Sequence, residues 1–144
     1  MNAIDLIQRD HEKMKVLMTR AVTADAGERR EELLEKLRIE LVAHERMEEE
    51  IFYPPLRDNP KTHDIVLEGY EEHHVADLIL DELLETPADT DVWHAKMKVL
   101  KENIEHHMHE EEDEMFKKAR KVFTEAELED LGRRMEAIKQ EAKT

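Results

Sequence analysis

Nine histidines and no cysteine, in 144 residues, are the part of this sequence that could do chemistry. The clearest arrangement is His44-Glu-Arg-Met-Glu48, an imidazole and a carboxylate four residues apart. On a helix that spacing puts both on one face, one turn from each other. The run from His106 to Phe116, HHMHEEEDEMF, reads as a second version of the same idea. His11 and His73 stand in two further segments of similar composition. Imidazole and carboxylate together suit a hard-to-borderline cation, and iron accepts both. The absence of cysteine excludes disulfides, thiolate zinc sites, thiolate-held iron–sulfur clusters and cysteine catalysis. No glycine-rich phosphate loop or nucleophile elbow is present.

The elements that must position these residues are long helices. Breakers are few: ADAG ending at Gly27, YPPLRDNP over 53–60, TPADTD over 86–91, and a weaker break at 122–124. Between them lie segments rich in Glu, Lys, Leu, Met and Ala, all good helix formers. The expected helices cover about 3–23, 28–53, 62–85, 90–120 and 125–141. The last is opened by a capping-box pattern, Thr124-Glu-Ala-Glu127. Short connections favour antiparallel neighbours, so the expectation is all-α: an up-down-up-down four-helix bundle with a short C-terminal fifth helix, one domain over 1–144.

Helical phase then locates the inward faces. The first stripe is Ile4, Ile7, His11, Met14 and Met18. The second is Leu34, Leu37, Leu41, His44, Glu48, Ile51 and Phe52. The third is Val66, Tyr70, His73, Asp77, Leu80 and Leu84. The fourth is Trp93, Met97, Leu100, Ile104 and His107, then an acidic position, then Met115 or Phe116. Each stripe carries a histidine where an apolar residue is expected. Burying one such group unpartnered costs a few kcal/mol, and six would consume the roughly 5–15 kcal/mol that holds a domain together. A metal inside the bundle satisfies them together. His63, His94, His106 and His109 fall on solvated faces, His74 lies off the stripe, and Glu12 and Glu45 point outward by phase.

With these motifs in view, the chain resembles the hemerythrin-like family, the HHE cation-binding domains, over about residues 3–122. The matching features are Asp10-His11, His44-x-x-x-Glu48 followed by Ile-Phe-Tyr-Pro, Glu71-Glu-His73-His74, and His107 with the acidic run before Met115-Phe116. The resemblance implies two iron ions inside the bundle, bridged by two carboxylates and an oxo or hydroxo group. It implies a small diatomic or peroxide ligand: O2, peroxide or nitric oxide. His11, His44, Glu48, His73 and His107 become ligands. For the sixth, straight phase favours Glu111. Glu48, however, stands four before Phe52, and four before Phe116 is Glu112; that gives the five-residue step of the oxygen-carrying members, which needs a π-bulge. Glu112 is the residue expected here. The oxygen carriers also place a second histidine one turn from the third-helix ligand, whereas His73 has Gly69 and Asp77 at those positions. Tyr70, Asp77 or a rotated His74 could complete the site. The departure favours peroxide or nitric oxide chemistry over reversible O2 carriage; the alternative is an iron-responsive sensor or store without turnover.

Charge supports a small ligand over a polymeric one. Lys plus Arg number 22 against 37 Asp plus Glu, a net −15 that repels nucleic acid and anionic lipid. No apolar run approaches a membrane span and no signal-peptide core opens the chain, so a cytoplasmic setting is the default expectation.

Overall fold

A computed structural model describes residues 1–144, and it is helical throughout, with no strand. α1 spans Ala3–Thr23. The second rod is composite: α2 over Glu28–Met47, a π-helical turn π1 over Glu48–Phe52, then α3 over Tyr53–Arg57. α4 spans His63–Glu85. The fourth rod is composite as well, with α5 over Asp91–Glu110, π2 over Glu111–Met115 and α6 over Phe116–Val122. α7, over Glu125–Lys143, carries the capping box at Thr124 and Glu127 and lies against α1 and α2. No helix is long and apolar enough to cross a membrane.

The second rod runs past Pro54 and Pro55, where the sequence suggested an end at 53. A proline inside an α-helix loses one ladder bond and clashes with the carbonyl four residues back. Here the ladder has already changed, since Tyr53 N–H bonds Glu48 O five residues back, and the two prolines open a fresh α-helical turn.

The bundle has two apolar halves. One is built from Met14, Met18, Leu37, Leu41, Leu80, Trp93 and Met97 with their neighbours. The other is built from Ile4, Ile7, Met47, Phe52, Val66, Phe116 and, from α7, Leu128, Leu131 and Met135. α1 and α4 run from the second half into the first, while the two composite rods run the other way. This is the expected up-down-up-down order. Between the halves, at mid-height on every rod, sit the buried polar residues His11, His44, Glu48, His73, His107 and Glu111.

The third stripe is rotated from its expected phase. The buried face of α4 is Ile65, Val66, Gly69, His73, Ala76, Leu80 and Leu83. Tyr70 and Asp77 are half-buried at its edges, and Leu84 is exposed. Small residues at 69 and 76 flank His73 and let neighbouring rods approach it.

Candidate metal centre

Five of the six expected residues are brought together, and Glu111 stands in place of the sixth. His11, His44, Glu48 and Glu111 form one group whose ligand-type atoms lie within 4.8 Å of one another; Glu48, His73 and His107 form a second. Glu48 belongs to both. Its Oε1 is 3.3 Å from His44 Nε2 and 3.0 Å from His73 Nε2. Glu111 spans the other pair, with Oε1 3.0 Å from His11 Nε2 and Oε2 3.4 Å from His107 Nε2.

Glu112, the residue expected inward, is half-buried at the rim, where its Oε2 meets His11 Nδ1 at 2.9 Å. The widened turn that was expected is present, but it begins at the carboxylate instead of preceding it. Glu48 and Glu111 each stand four residues after a histidine and each open a π-helical turn. The internal match is therefore Glu48 with Glu111, and Phe116 corresponds to Tyr53, not to Phe52.

Every imidazole is oriented from behind by a carboxylate. His11 Nδ1 meets Glu112 as above, and His44 Nδ1 lies 3.0 Å from Asp10 Oδ2. His73 Nδ1 lies 2.7 Å from Glu49 Oε2, and His107 Nδ1 lies 2.7 Å from Glu72 Oε1. Donation from Nδ1–H turns each Nε2 lone pair inward, as metal-ligating histidines require. Asp10 is in turn bonded to Lys139 of α7, a lysine buried in the same cluster.

Tyr53 is the residue that helical phase missed. Its hydroxyl donates to Glu111 Oε2 at 2.6 Å and lies 3.3 Å from Glu48 Oε1 and 3.2 Å from His107 Nε2. It stands five residues after Glu48, one step past the stripe, and only the π-helical turn brings it inward. Gly69 makes room for it: a Cβ there would sit 3.0 Å from the Tyr53 hydroxyl oxygen. Tyr70 bonds the Glu49 carbonyl, and Tyr70, Asp77 and exposed His74 lie outside both groups. Glu45 is buried, against the outward phase expected of it.

The electrostatics are those of a centre held by protons where a cation would otherwise sit. Burial alone would lower the His44 pKa, but the charge of Glu48 and the bond to Asp10 outweigh it and raise it to about 10. His73 rises to about 9 against the same burial effect, through Glu48 and Glu49. His107 is raised well above its ordinary value, with Glu111 the largest opposing influence to burial. Burial would raise Glu111, yet His107 and then His11 hold it well below the usual carboxylate range. Burial, then Glu111 and Glu48, push the Tyr53 phenol well up, so it keeps its proton. Glu45 is pushed up to about 9 by burial and then by the adjoining Asp77 carboxyl.

His44 Nε2, His73 Nε2, Glu48 Oε2 and Glu45 Oε2 are buried with no hydrogen-bond partner, and the first three belong to the two ligand groups. Such atoms are costly unless something binds them. The donor set of four imidazole nitrogens and two shared carboxylates fits two cations and is ill-suited to one tetrahedral ion. On one side the imidazoles line a small cavity, walled otherwise by Met14, Leu41, Ala76, Ile104 and Met108 and by the carboxyls of Glu45 and Glu72, with room for about one water-sized molecule (about 10 Å³).

Comparison with known proteins agrees with this geometry. The model of the Hemerythrin HHE cation binding domain matches residues 2–119. The uncharacterized proteins Rv2633c of Mycobacterium tuberculosis and Mb2666c of Mycobacterium bovis are each 32% identical over 139 residues, 95% of this chain and 84% of theirs. The crystal structure of a Hemerythrin HHE cation binding domain-containing protein of Mycobacterium kansasii, an Rv2633c homolog, superposes with a TM-score of 0.88 at 30% identity, covering 99% of this chain and 88% of that one. With a family match over most of its length and a buried His/Glu centre at mid-bundle, the chain belongs to the hemerythrin HHE cation-binding family.

Proposed function

We propose that the centre holds two iron ions, linked by Glu48 and Glu111, and that the protein binds or consumes a small oxidant, peroxide or nitric oxide, in preference to carrying O2. The observation that carries the reading is the pair of buried ligand groups sharing Glu48, in which His44 Nε2, His73 Nε2 and Glu48 Oε2 have no hydrogen-bond partner. A pair of adjacent irons supplies the electrons for binding or reducing O2, peroxide or nitric oxide.

The chain's own residues define what reaches the centre. His11 and His44 face one position and His73 and His107 the other, two imidazoles for each, with both carboxylates shared. The expected third imidazole of an oxygen carrier has no counterpart here, because His74 is exposed and Gly69 faces Tyr53. Tyr53 holds a proton at its hydroxyl oxygen and directs it to Glu111 Oε2, fixing the orientation of a carboxylate that would help hold the metal. Met14, Leu41, Ala76, Ile104 and Met108 leave the cavity room for a small molecule only; at its wall Glu45 keeps its proton at neutral pH, while Glu72, held low by His107 against the effect of burial, carries a negative charge. Neutral peroxide and nitric oxide also approach a −15 protein without repulsion.

Metal analysis of freshly purified protein, with stopped-flow spectra on adding peroxide, nitric oxide and O2, tests the reading. Two irons per chain and peroxide loss or nitric oxide capture above free iron are expected. One zinc with no iron, or clean reversible oxygenation with neither of those reactions, overturns it.

A further inference from the structure

The four carboxylates behind the imidazoles are not equivalent. The side chains of Glu112, Glu49 and Glu72 retain 31%, 37% and 25% exposure, so water balances their charge. Asp10 retains 3% and is cut off from water. Its charge is met by Lys139, whose side chain is 6% exposed and whose ammonium bonds Asp10 Oδ1 while Oδ2 takes His44 Nδ1–H. Lys139 continues the α7 stripe of Leu128, Leu131 and Met135, where packing alone would place an apolar residue. Burying an ammonium there is expensive, and an apolar side chain would serve packing as well or better. The family match ends at residue 119, so α7 lies beyond it.

We propose that Lys139 is a positioning residue of the metal centre: by neutralising and holding Asp10, it sets how strongly His44 donates to the metal beside it. This rests on the reading of the centre as a two-iron site. An anionic acceptor at Nδ1 draws the imidazole proton and raises the basicity of Nε2, which favours the ferric state. Lys139 tempers that pull. Without it Asp10 becomes an uncompensated buried anion and His44 becomes a stronger donor; without the Asp10 charge the opposite follows. A lysine that merely fastens α7 would affect stability alone.

Lys143 provides the control. One turn further along α7, it bonds Glu40 Oε1 of α2 at 2.6 Å, a more exposed pair that Glu40 shares with Lys13 and that fastens α7 away from the ligand groups. The experiment loads the full chain with ferrous iron anaerobically and measures the midpoint potential by spectroelectrochemistry and the iron affinity by competition. Lys139→Met is expected to lower the potential, Lys139→Arg to restore it, and Asp10→Asn to raise it while weakening iron binding about 10–100-fold. Lys143→Met is expected to leave both readings at the wild-type value. Where Lys139→Met does not fold, Lys139→Gln keeps a hydrogen bond to Asp10 without charge and carries the same expected direction. Unchanged potentials in the Lys139 variants, or equal shifts in Lys143→Met, overturn the inference while the two-iron reading stands. A wild-type chain that takes up no iron overturns both.

Discussion

Four histidines each give one nitrogen to a carboxylate and the other to the centre, and this division of labour makes the site a ligand set instead of a buried ion-pair cluster. Replacing one inward group removes a ligand; replacing one outer carboxylate only loosens a ligand. His44→Ala, Glu48→Ala and Glu111→Gln are therefore expected to cut iron content well below two per chain. Glu112→Gln should lower affinity by about 10–100-fold with full occupancy still reached at high iron. His109→Ala should change nothing, because His109 is exposed and pairs only with Asp113. Elemental analysis across an iron titration checks all five, and a Glu112 variant behaving like Glu111→Gln would reverse the assignment made at π2. Tyr53→Phe removes a hydrogen bond to a buried carboxylate and should destabilise the metal-free chain by about 1.5–3 kcal/mol in urea unfolding. Gly69→Ala should shift the same hydroxyl by crowding its ring. Combined with Tyr53→Phe it should then give less than the sum of the two, since both act on one contact.

The two π-helical turns are what bring a fifth position into register. Each begins at a carboxylate of the buried cluster and is followed by an aromatic residue, Tyr53 or Phe116; Phe116 stacks beside His11 at 6.5 Å between ring centres. Such turns are uncommon and concentrate at functional sites. α7 acts on the same layer from outside the four rods. It is fastened by Lys139 to Asp10, by Lys143 to Glu40 and by Glu141 to Arg46, and the backbone of Met1–Ala3 crosses it at Gly132. A Cβ at Gly132 would fall 2.3 Å from the Met1 carbonyl oxygen, so backbone must move. Gly132→Ala is accordingly expected to lose about 1–3 kcal/mol by overpacking, read as a lower urea midpoint. A midpoint equal to or above wild type would mean that the N-terminal crossing is not part of the docked state.

Across the whole molecule the polar layer divides two apolar halves, so stability and metal occupancy are coupled. Metal that binds only the folded chain adds about 4 kcal/mol when free metal exceeds its dissociation constant a thousandfold. Iron removal should consequently lower the melting temperature clearly, and superimposable melts with and without metal would count against a buried site. The metal-free protein should also lose stability as pH rises. His44 and His73 have folded pKa values of about 10 and 9, above the ordinary 6.5, so their contribution is complete below pH 6.5 and is lost as pH passes 9 to 10. Glu45 has the same sign, because its folded pKa of about 9 exceeds the ordinary 4.5. Asp10, lowered to about 2 by His44 and Lys139 against the effect of burial, acts at the acid end, where its contribution disappears as pH falls below 3.8 toward 2. Metal displaces the histidine protons, so binding should tighten with pH and the gap between loaded and metal-free melting temperatures should widen from pH 7 to 10. Melts of both forms across that range provide the check, and a constant gap would contradict the exchange of protons for metal.

Helix order, bundle topology and the six clustered side chains all follow from straight spacing, because an α-helix repeats every 3.6 residues and a polar residue on an apolar stripe stands out. His11, His44, Glu48, His73, His107 and Glu111 all follow that repeat, and Glu112 is expected only when Phe116 is aligned with Phe52. The exceptions fall where the repeat changes or where charge is balanced across rods. Tyr53 reaches the centre only because a π-helical turn begins at Glu48 and carries the fifth residue inward. The α4 face turns toward Gly69 and Ala76 because those small residues allow close approach, a gain that exists only once a neighbouring helix is there. Lys139 is buried against Asp10, and only that partner 129 residues away makes its burial tolerable; Glu45 is buried as well, and there burial pushes its carboxyl up to about 9, so it stays protonated.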